Sequence, residues 1–218
     1  MIPLRSSQRT YSTPIVTIAL ISINLAVFLY EISLPEDQLN AFIRQYAIVP
    51  EFFRTSMLFT SMFLHGGWMH VLGNMWFLWI FGKGIEDLLG SVRFLIFYIA
   101  CGIAAGVIHT FVNYYSPVPT LGASGAIAGV MGAYLVKFPR TPIITLILFF
   151  VFFTTVDVPA AFLLIYWFLI QFFSGFGSVG ESQVSRGDVA WFAHIGGFLA
   201  GMALIKILPA RQRIPRLY

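Results

Sequence analysis

Long apolar runs alternate with short polar stretches along the chain. Uncharged runs cover about residues 15–30, 68–82, 94–115, 124–136 and 191–205. A further run, 143–176, is interrupted by Asp157 and Pro159, and the part after Pro159, through Trp167 to Phe173, is the better span. Runs of this length predict six transmembrane helices. The 143–155 stretch, rich in Phe, Thr, Val and Ile, is interpreted as an extended or re-entrant connection, with a seventh crossing as the alternative.

Composition supports a bilayer environment. The chain is 58% hydrophobic and 10% charged, whereas roughly 25% of residues in a soluble domain are charged. We therefore predict an all-α polytopic membrane protein that forms a single membrane-embedded domain over residues 1–218. The first run follows Arg5 and Arg9 but no small-residue cleavage site follows it, so it is interpreted as an uncleaved span. Cys101 lies alone in an apolar run and is predicted to be a packed side chain.

Lysine and arginine divide unequally between the two sides of six spans. The side that holds both termini carries ten of the 13 basic residues: Arg5, Arg9, Lys83, Arg93, Lys137, Arg140, Lys206, Arg211, Arg213 and Arg216. The other side carries Arg44, Arg54 and Arg186. The positive-inside rule then places both termini in the cytoplasm, and a seventh span would violate it. Because the net charge of +4 is explained by topology, no nucleic-acid partner is expected.

The polar stretch 33–60 contains a helical pattern. Leu39, Phe42, Ile43 and Tyr46 fall at helical spacing. This favours a short amphipathic helix at the membrane interface, with an ordinary polar loop as the alternative.

Polar residues inside the apolar runs are candidate functional groups because they are costly in lipid. They are His70, Asn74, His109, Asn113, Ser124 and His194, with His65 just outside a run. Ser124 precedes Lys137 by 13 residues, His194 precedes Lys206 by 12, and His70 precedes Lys83 by 13. A helical rise of 1.5 Å per residue puts all three about 18–20 Å above the cytoplasmic boundary, roughly 10 Å below the outer surface.

Small residues predict close contact between the helices that carry Ser124 and His194. They are Gly125, Gly129 and Gly132 after the serine, and Gly197 and Gly201 after the histidine. Glycines around a serine are often packing alone, but here they also bring a hydroxyl to an imidazole. We infer a dyad in which Ser124 is the nucleophile and His194 the general base and acid. Asp157 and Asp188 are not placed to orient the imidazole.

Two further side chains could stabilise an oxyanion. His70 and Asn74 are four apart and share a helical face, and both can donate hydrogen bonds. The backbone N–H of Ser124, at a helix start, would be a third donor. His109 and Asn113 repeat the spacing but lie nearer the outer interface, so an interfacial or packing role is expected of that pair.

Three motifs together resemble the rhomboid family of intramembrane serine proteases. They are HGGWMHVLGN at 65–74, GASG at 122–125 and AHIGGFLAG at 193–201, in the family's order. The resemblance covers about residues 12–208 and is to the minimal six-span prokaryotic form. It implies a six-transmembrane-helix bundle with a short central helix that starts at the catalytic serine.

The resemblance also implies a function. It implies cleavage of transmembrane segments of membrane proteins near their outer end, without metal or cofactor, in the plasma membrane and with an active site that opens to the outer side. It assigns Ser124 as nucleophile, His194 as base, and His70, Asn74 and the Ser124 N–H as the oxyanion hole. His65 would be structural. The partners would be transmembrane protein substrates and the lipid bilayer.

The resemblance implies moving parts as well, and it has one departure. The loop between the first two spans would be embedded in the membrane, and the fifth span with Trp167 and the 175–188 loop would be the gate and cap. Many members carry an aromatic residue four after the serine, where this chain has Ala128. Orientation of His194 must then come from elsewhere. A non-catalytic relative that binds transmembrane helices, and a transporter or channel, are the alternative functions.

Overall fold

The structure is a computed structural model that describes residues 1–149, 152–177 and 190–211. Most described residues are helical, and the helices are α1 (Ile15–Ser33), α2 (Glu36–Tyr46), α3 (Met57–Thr60), α4 (Trp68–Phe77), α5 (Lys83–Leu89), α6 (Ser91–Val112), α7 (Ser124–Lys137), α8 (Ala160–Gly177) and α9 (Trp191–Ile207). A π-helical segment, Leu78–Gly82, joins α4 to α5. Arg186, Asp188, Arg213, Arg216 and the 178–188 part of the predicted cap lie outside the described residues.

Among the described helices, α1 and α6 are long and apolar enough to cross a membrane. The helices α7, α8 and α9 are also apolar but shorter. Helices α4 and α5 form one continuous helical segment only through the π-helical residues between them. The count of six spans therefore stays a prediction.

A three-stranded antiparallel sheet corrects the all-α prediction. Its strands are β1 (Ile2–Ser6), β2 (Pro142–Phe149) and β3 (Phe152–Pro159), in the order β1-β2-β3. Residues 143–149 and 152–155 are thus extended rather than part of a seventh helical span, because their β-branched and aromatic side chains favour a pleated conformation. Pro142 and Pro159 pair at the base of the hairpin, where a missing N–H is tolerated.

The amphipathic helix predicted between the first two spans is confirmed as α2. Its partly buried residues are Leu39, Phe42, Ile43 and Tyr46. The Phe42 ring lies 5.5 Å from the Tyr30 ring of α1 and 4.7 Å from the Tyr46 ring, measured between centroids. One face of α2 therefore rests on the end of α1.

Helix α7 occupies the centre of the bundle. Residues 125–134 are all buried, and α7 packs against α6, α9 and the π segment. Cys101 of α6 is buried beside Gly129, as the predicted packing role requires. A helix surrounded in this way needs small side chains on several faces, which explains its glycines and alanines.

Two buried carboxylates, absent from the sequence predictions, anchor the start of α1. Glu86 of α5 accepts hydrogen bonds from the backbone N–H groups of Val16 and Thr17 at 2.9 and 2.8 Å, and from the Thr17 hydroxyl at 2.7 Å. Asp87 accepts from the Ser12 N–H and hydroxyl at 2.9 and 2.6 Å. Carboxylates stabilise a helix N-terminus, so this pair fixes α1 against α5.

Candidate active site

The structure brings Ser124 and His194 into hydrogen-bonding distance. Ser124 is the first residue of α7 and is half-buried. Its Oγ lies 2.7 Å from Nε2 of His194, a buried residue of α9. A hydroxyl at this distance can pass its proton to a neutral imidazole, which is the geometry of an activated nucleophile.

The close approach of α7 and α9 depends on glycine, as predicted. A Cβ atom built on Gly201 would lie 1.9 Å from the carbonyl oxygen of Gly129. One built on Gly197 would lie 2.0 Å from the carbonyl oxygen of Gly125. Neither backbone could tolerate a methyl group without moving the helices apart.

We expect Gly201→Ala to lower the free energy of unfolding by about 1–3 kcal/mol, because the methyl group overpacks the α7–α9 contact. The shift of α9 should also slow the reaction of Ser124 with a fluorophosphonate. Gly73→Ala is the matched control, since a Cβ there has no heavy atom within 4 Å. Unfolding in detergent would be followed by thermal denaturation. Equal melting temperatures for Gly201→Ala and Gly73→Ala would contradict the packing argument.

Two donors from α4 lie against the loop that leads into Ser124. Gly122 has a φ of +126°, and a Cβ there would lie 2.7 Å from Nε2 of His70 and 3.6 Å from Nδ2 of Asn74. Only glycine can therefore be accommodated at position 122. The Asn74 Nδ2 atom is buried and has no hydrogen-bond partner among the described residues. It is a desolvated donor beside Gly122, two residues before Ser124.

The N-terminus of α7 adds backbone donors to the same place. No described side chain caps it. The first N–H groups of a helix lack intrahelical partners and carry a partial positive charge. An oxyanion that formed beside Ser124 would therefore meet donors from α4 and from α7.

Helix α8 supplies the contacts that the Ala128 position lacks. Gln171, which is 7% exposed, places Oε1 2.6 Å from Nδ1 of His194. The Trp167 ring lies against the His194 ring at 5.7 Å between centroids, with 38° between the planes. The sequence predictions missed Gln171. It could have been identified as a candidate because it is a strongly polar side chain in an apolar helix, one turn after Trp167.

His109 and Asn113 serve the loop before α7. Nε2 of His109 lies 2.7 Å from the Thr120 hydroxyl, and Nδ2 of Asn113 donates to the His109 carbonyl at 3.0 Å. Thr120 also exchanges two backbone hydrogen bonds with Ile48, at 2.7 and 2.9 Å. This is the packing role expected of the pair.

The side chain of His65 packs against the His70 ring. It is 3% exposed, and the two rings meet edge to face at 5.2 Å between centroids. Its backbone N–H donates to the Glu31 carboxylate at 3.1 Å. Burial, with a smaller contribution from His70, lowers the pKa of His65 to about 4. The ring is therefore neutral at physiological pH, consistent with a structural role.

A small cavity of about 30 Å³ adjoins Ser124. Much of its lining consists of glycine and alanine, namely Gly102, Ala105, Gly106, Gly125, Ala126 and Ala193. It lies between α6, α7 and the start of α9. Among the described residues no group of three or more His, Cys, Asp or Glu side chains could hold a metal ion.

The fold and site define a helical membrane protein with a serine–histidine pair at its centre. The Rhomboid domain family matches residues 51–211, so the chain belongs to the rhomboid family. Similar proteins include Rhomboid protease GluP of Bacillus subtilis, 47% identical over 78 residues, and Putative rhomboid protease YdcA of the same organism, 41% identical over 78 residues. Presenilin-associated rhomboid-like protein, mitochondrial, of Bos taurus is 40% identical over 91 residues.

These alignments cover part of each protein. They span 36% of this chain and 15% of GluP, 36% of this chain and 39% of YdcA, and 39% of this chain and 23% of the Bos taurus protein. The chain thus spans less than half the length of each of these relatives. Family membership rests on the domain match over residues 51–211, and two of the relatives are named as proteases.

Proposed function

We propose that the chain is an intramembrane serine endopeptidase that cleaves transmembrane segments of other membrane proteins. The 2.7 Å contact between Ser124 Oγ and His194 Nε2 is the observation that carries the proposal. The unpaired Asn74 donor, which lies beside Gly122 in the loop before Ser124, supports the same chemistry, because acyl transfer develops negative charge on the carbonyl oxygen. Two relatives are named as rhomboid proteases.

The reaction has two halves. Ser124 Oγ attacks the substrate carbonyl while Nε2 of His194 takes its proton, and His70, Asn74 and the Ser124 N–H stabilise the oxyanion. His194 then gives the proton to the leaving amine, and an ester to Ser124 remains. Water attacks the ester with His194 again as base, which releases the carboxylic acid product and restores the serine.

The cavity beside Ser124 supports a preference for a small residue at the cleaved position. Much of its lining is glycine and alanine, and although the hydroxyl side chains of Ser61, Thr120 and Ser124 also line it, no charged side chain does. A substrate helix would approach through the bilayer, unwind, and place a small side chain there. Helix-breaking residues near the cleavage site would favour this step, because an intact helix holds its carbonyl groups in hydrogen bonds.

The proposed topology follows the charge distribution. Residues 1–218 form one membrane domain with its core at about 12–208, six spans, both termini in the cytoplasm and an active site that opens to the outer side of a prokaryotic plasma membrane. Its support is the excess of lysine and arginine on the side of the termini.

The test is cleavage of a transmembrane substrate by the purified protein in proteoliposomes, with fluorophosphonate labelling as a second measure. We expect the wild type and Ser56→Ala, a change at an exposed serine, to cleave and to be labelled. Ser124→Ala should do neither. Equal cleavage by wild type and Ser124→Ala would refute the proposal. Substrate binding by a wild type that neither cleaves nor is labelled would instead indicate a non-catalytic helix-binding protein.

A further inference from the structure

We propose that Gln171 is a positioning residue for the proposed hydrolysis. Its amide oxygen holds the imidazole proton of His194 on Nδ1, and this leaves Nε2 as the proton acceptor that faces Ser124. The inference rests on the proposed function for its catalytic consequence, but the position of the proton can be measured without activity.

The argument begins with the roles of the three atoms. A glutamine carbonyl oxygen can only accept a hydrogen bond, so its contact with Nδ1 at 2.6 Å requires a proton on Nδ1. A neutral imidazole carries a single N–H, and Nε2 then has a free lone pair. That lone pair faces Ser124 Oγ at 2.7 Å. Two short hydrogen bonds thus connect the three side chains: Ser124 donates to Nε2 of His194, and Nδ1 of His194 donates to Gln171.

Because Gln171 is buried, its contact with His194 favours one orientation of the imidazole ring. Gln171 is 7% exposed and is the one amide side chain in α8. A buried amide in an apolar helix is unfavourable unless it is hydrogen bonded, so the histidine ring is held in the orientation that satisfies it. Trp167, one turn earlier, contacts the same ring. The indole restricts the plane of the imidazole, and the amide restricts its rotation and its proton.

The arrangement compensates for the residue at position 128. Ala128 is 1% exposed inside the core and offers no ring to His194. In this chain the base is therefore oriented from α8 rather than from α7. Since an amide is uncharged, Gln171 can direct the proton without an ion pair inside the membrane.

The test combines spectroscopy with kinetics on the purified full chain. Nitrogen-15 NMR of labelled histidine, assigned with His194→Gln, should show His194 protonated on Nδ1 and not on Nε2 near neutral pH. Gln171→Leu should lose the Nδ1 hydrogen-bond shift and lower kcat on the order of 10²-fold with little change in KM, because the base is misoriented. Gln171→Glu keeps an accepting oxygen and should restore most of both. Leu169→Ala, at an exposed position on the same helix, should match wild type.

Three results would overturn the assignment. They are a wild-type His194 protonated on Nε2, a Gln171→Leu variant with wild-type kcat, and equal loss of activity in Gln171→Leu and Gln171→Glu. Failure of the proposed function is a separate outcome: the wild type itself would neither cleave substrate nor react with a fluorophosphonate. In that case the NMR spectra alone still decide whether Gln171 fixes the proton on Nδ1.

Discussion

His194→Ala is expected to lower kcat for cleavage of a transmembrane substrate on the order of 10⁶-fold, as is Ser124→Ala, because a serine hydroxyl is a poor nucleophile without its base. The double variant should be no slower than either single variant. In the proposed mechanism the two residues act on one proton across the 2.7 Å contact, so the loss of either residue removes what the other contributes. Single-turnover cleavage in proteoliposomes would give the three rates.

Two controls make this cycle interpretable. Each variant should melt within a few degrees of wild type in detergent, which excludes unfolding as the cause. Ser56→Ala should retain the wild-type rate, because Ser56 is exposed. A double variant far slower than both single variants would mean that Ser124 and His194 act independently, and the dyad would be abandoned.

Depth counting from the sequence located the central pair because helical rise is nearly constant. Both α7 and α9 end close to the lysines used as rulers, at Lys137 and Ile207, so equal counts placed Ser124 and His194 at one level. The count from Lys83 was less sound. Lys83 does not end its helix, since α5 continues to Leu89, and its Nζ lies 5.2 Å from the Trp79 ring centroid. A long side chain of this kind can place its charge away from its backbone.

Features that depend on contacts between distant segments escaped prediction. The short strand Ile2–Ser6 pairs with residues 143–146, and nothing local in five residues reveals a partner so far along the chain. The apolar run 143–176 showed no period that separates a strand from a buried helix, so an extended conformation for its first part stayed one of two alternatives.

Gln171 was missed for a related reason. Its contact with His194 depends on the rotation of α8 about its axis relative to α9, which the spacing within either helix does not determine.

Asn74→Ala is expected to lower kcat about 10²–10³-fold while KM stays nearly constant, as for the loss of one oxyanion donor. The reason is that Nδ2 of Asn74 has no partner in the resting state among the described residues, so its hydrogen bond would form only as charge develops on the substrate oxygen. Asn113→Ala is the matched control, because its amide already donates to the His109 carbonyl. Steady-state kinetics with a fluorogenic transmembrane substrate would separate kcat from KM.

Stability provides an independent check on the same variant. A buried donor without a partner costs about 1–3 kcal/mol, so its removal should leave the melting temperature of Asn74→Ala unchanged or raise it. Lower activity together with equal or higher stability is the signature of a group kept for the transition state. A structural asparagine would show the reverse, a lower melting temperature with kcat near wild type. That pattern would remove Asn74 from the oxyanion hole and leave His70 and the Ser124 N–H as its donors.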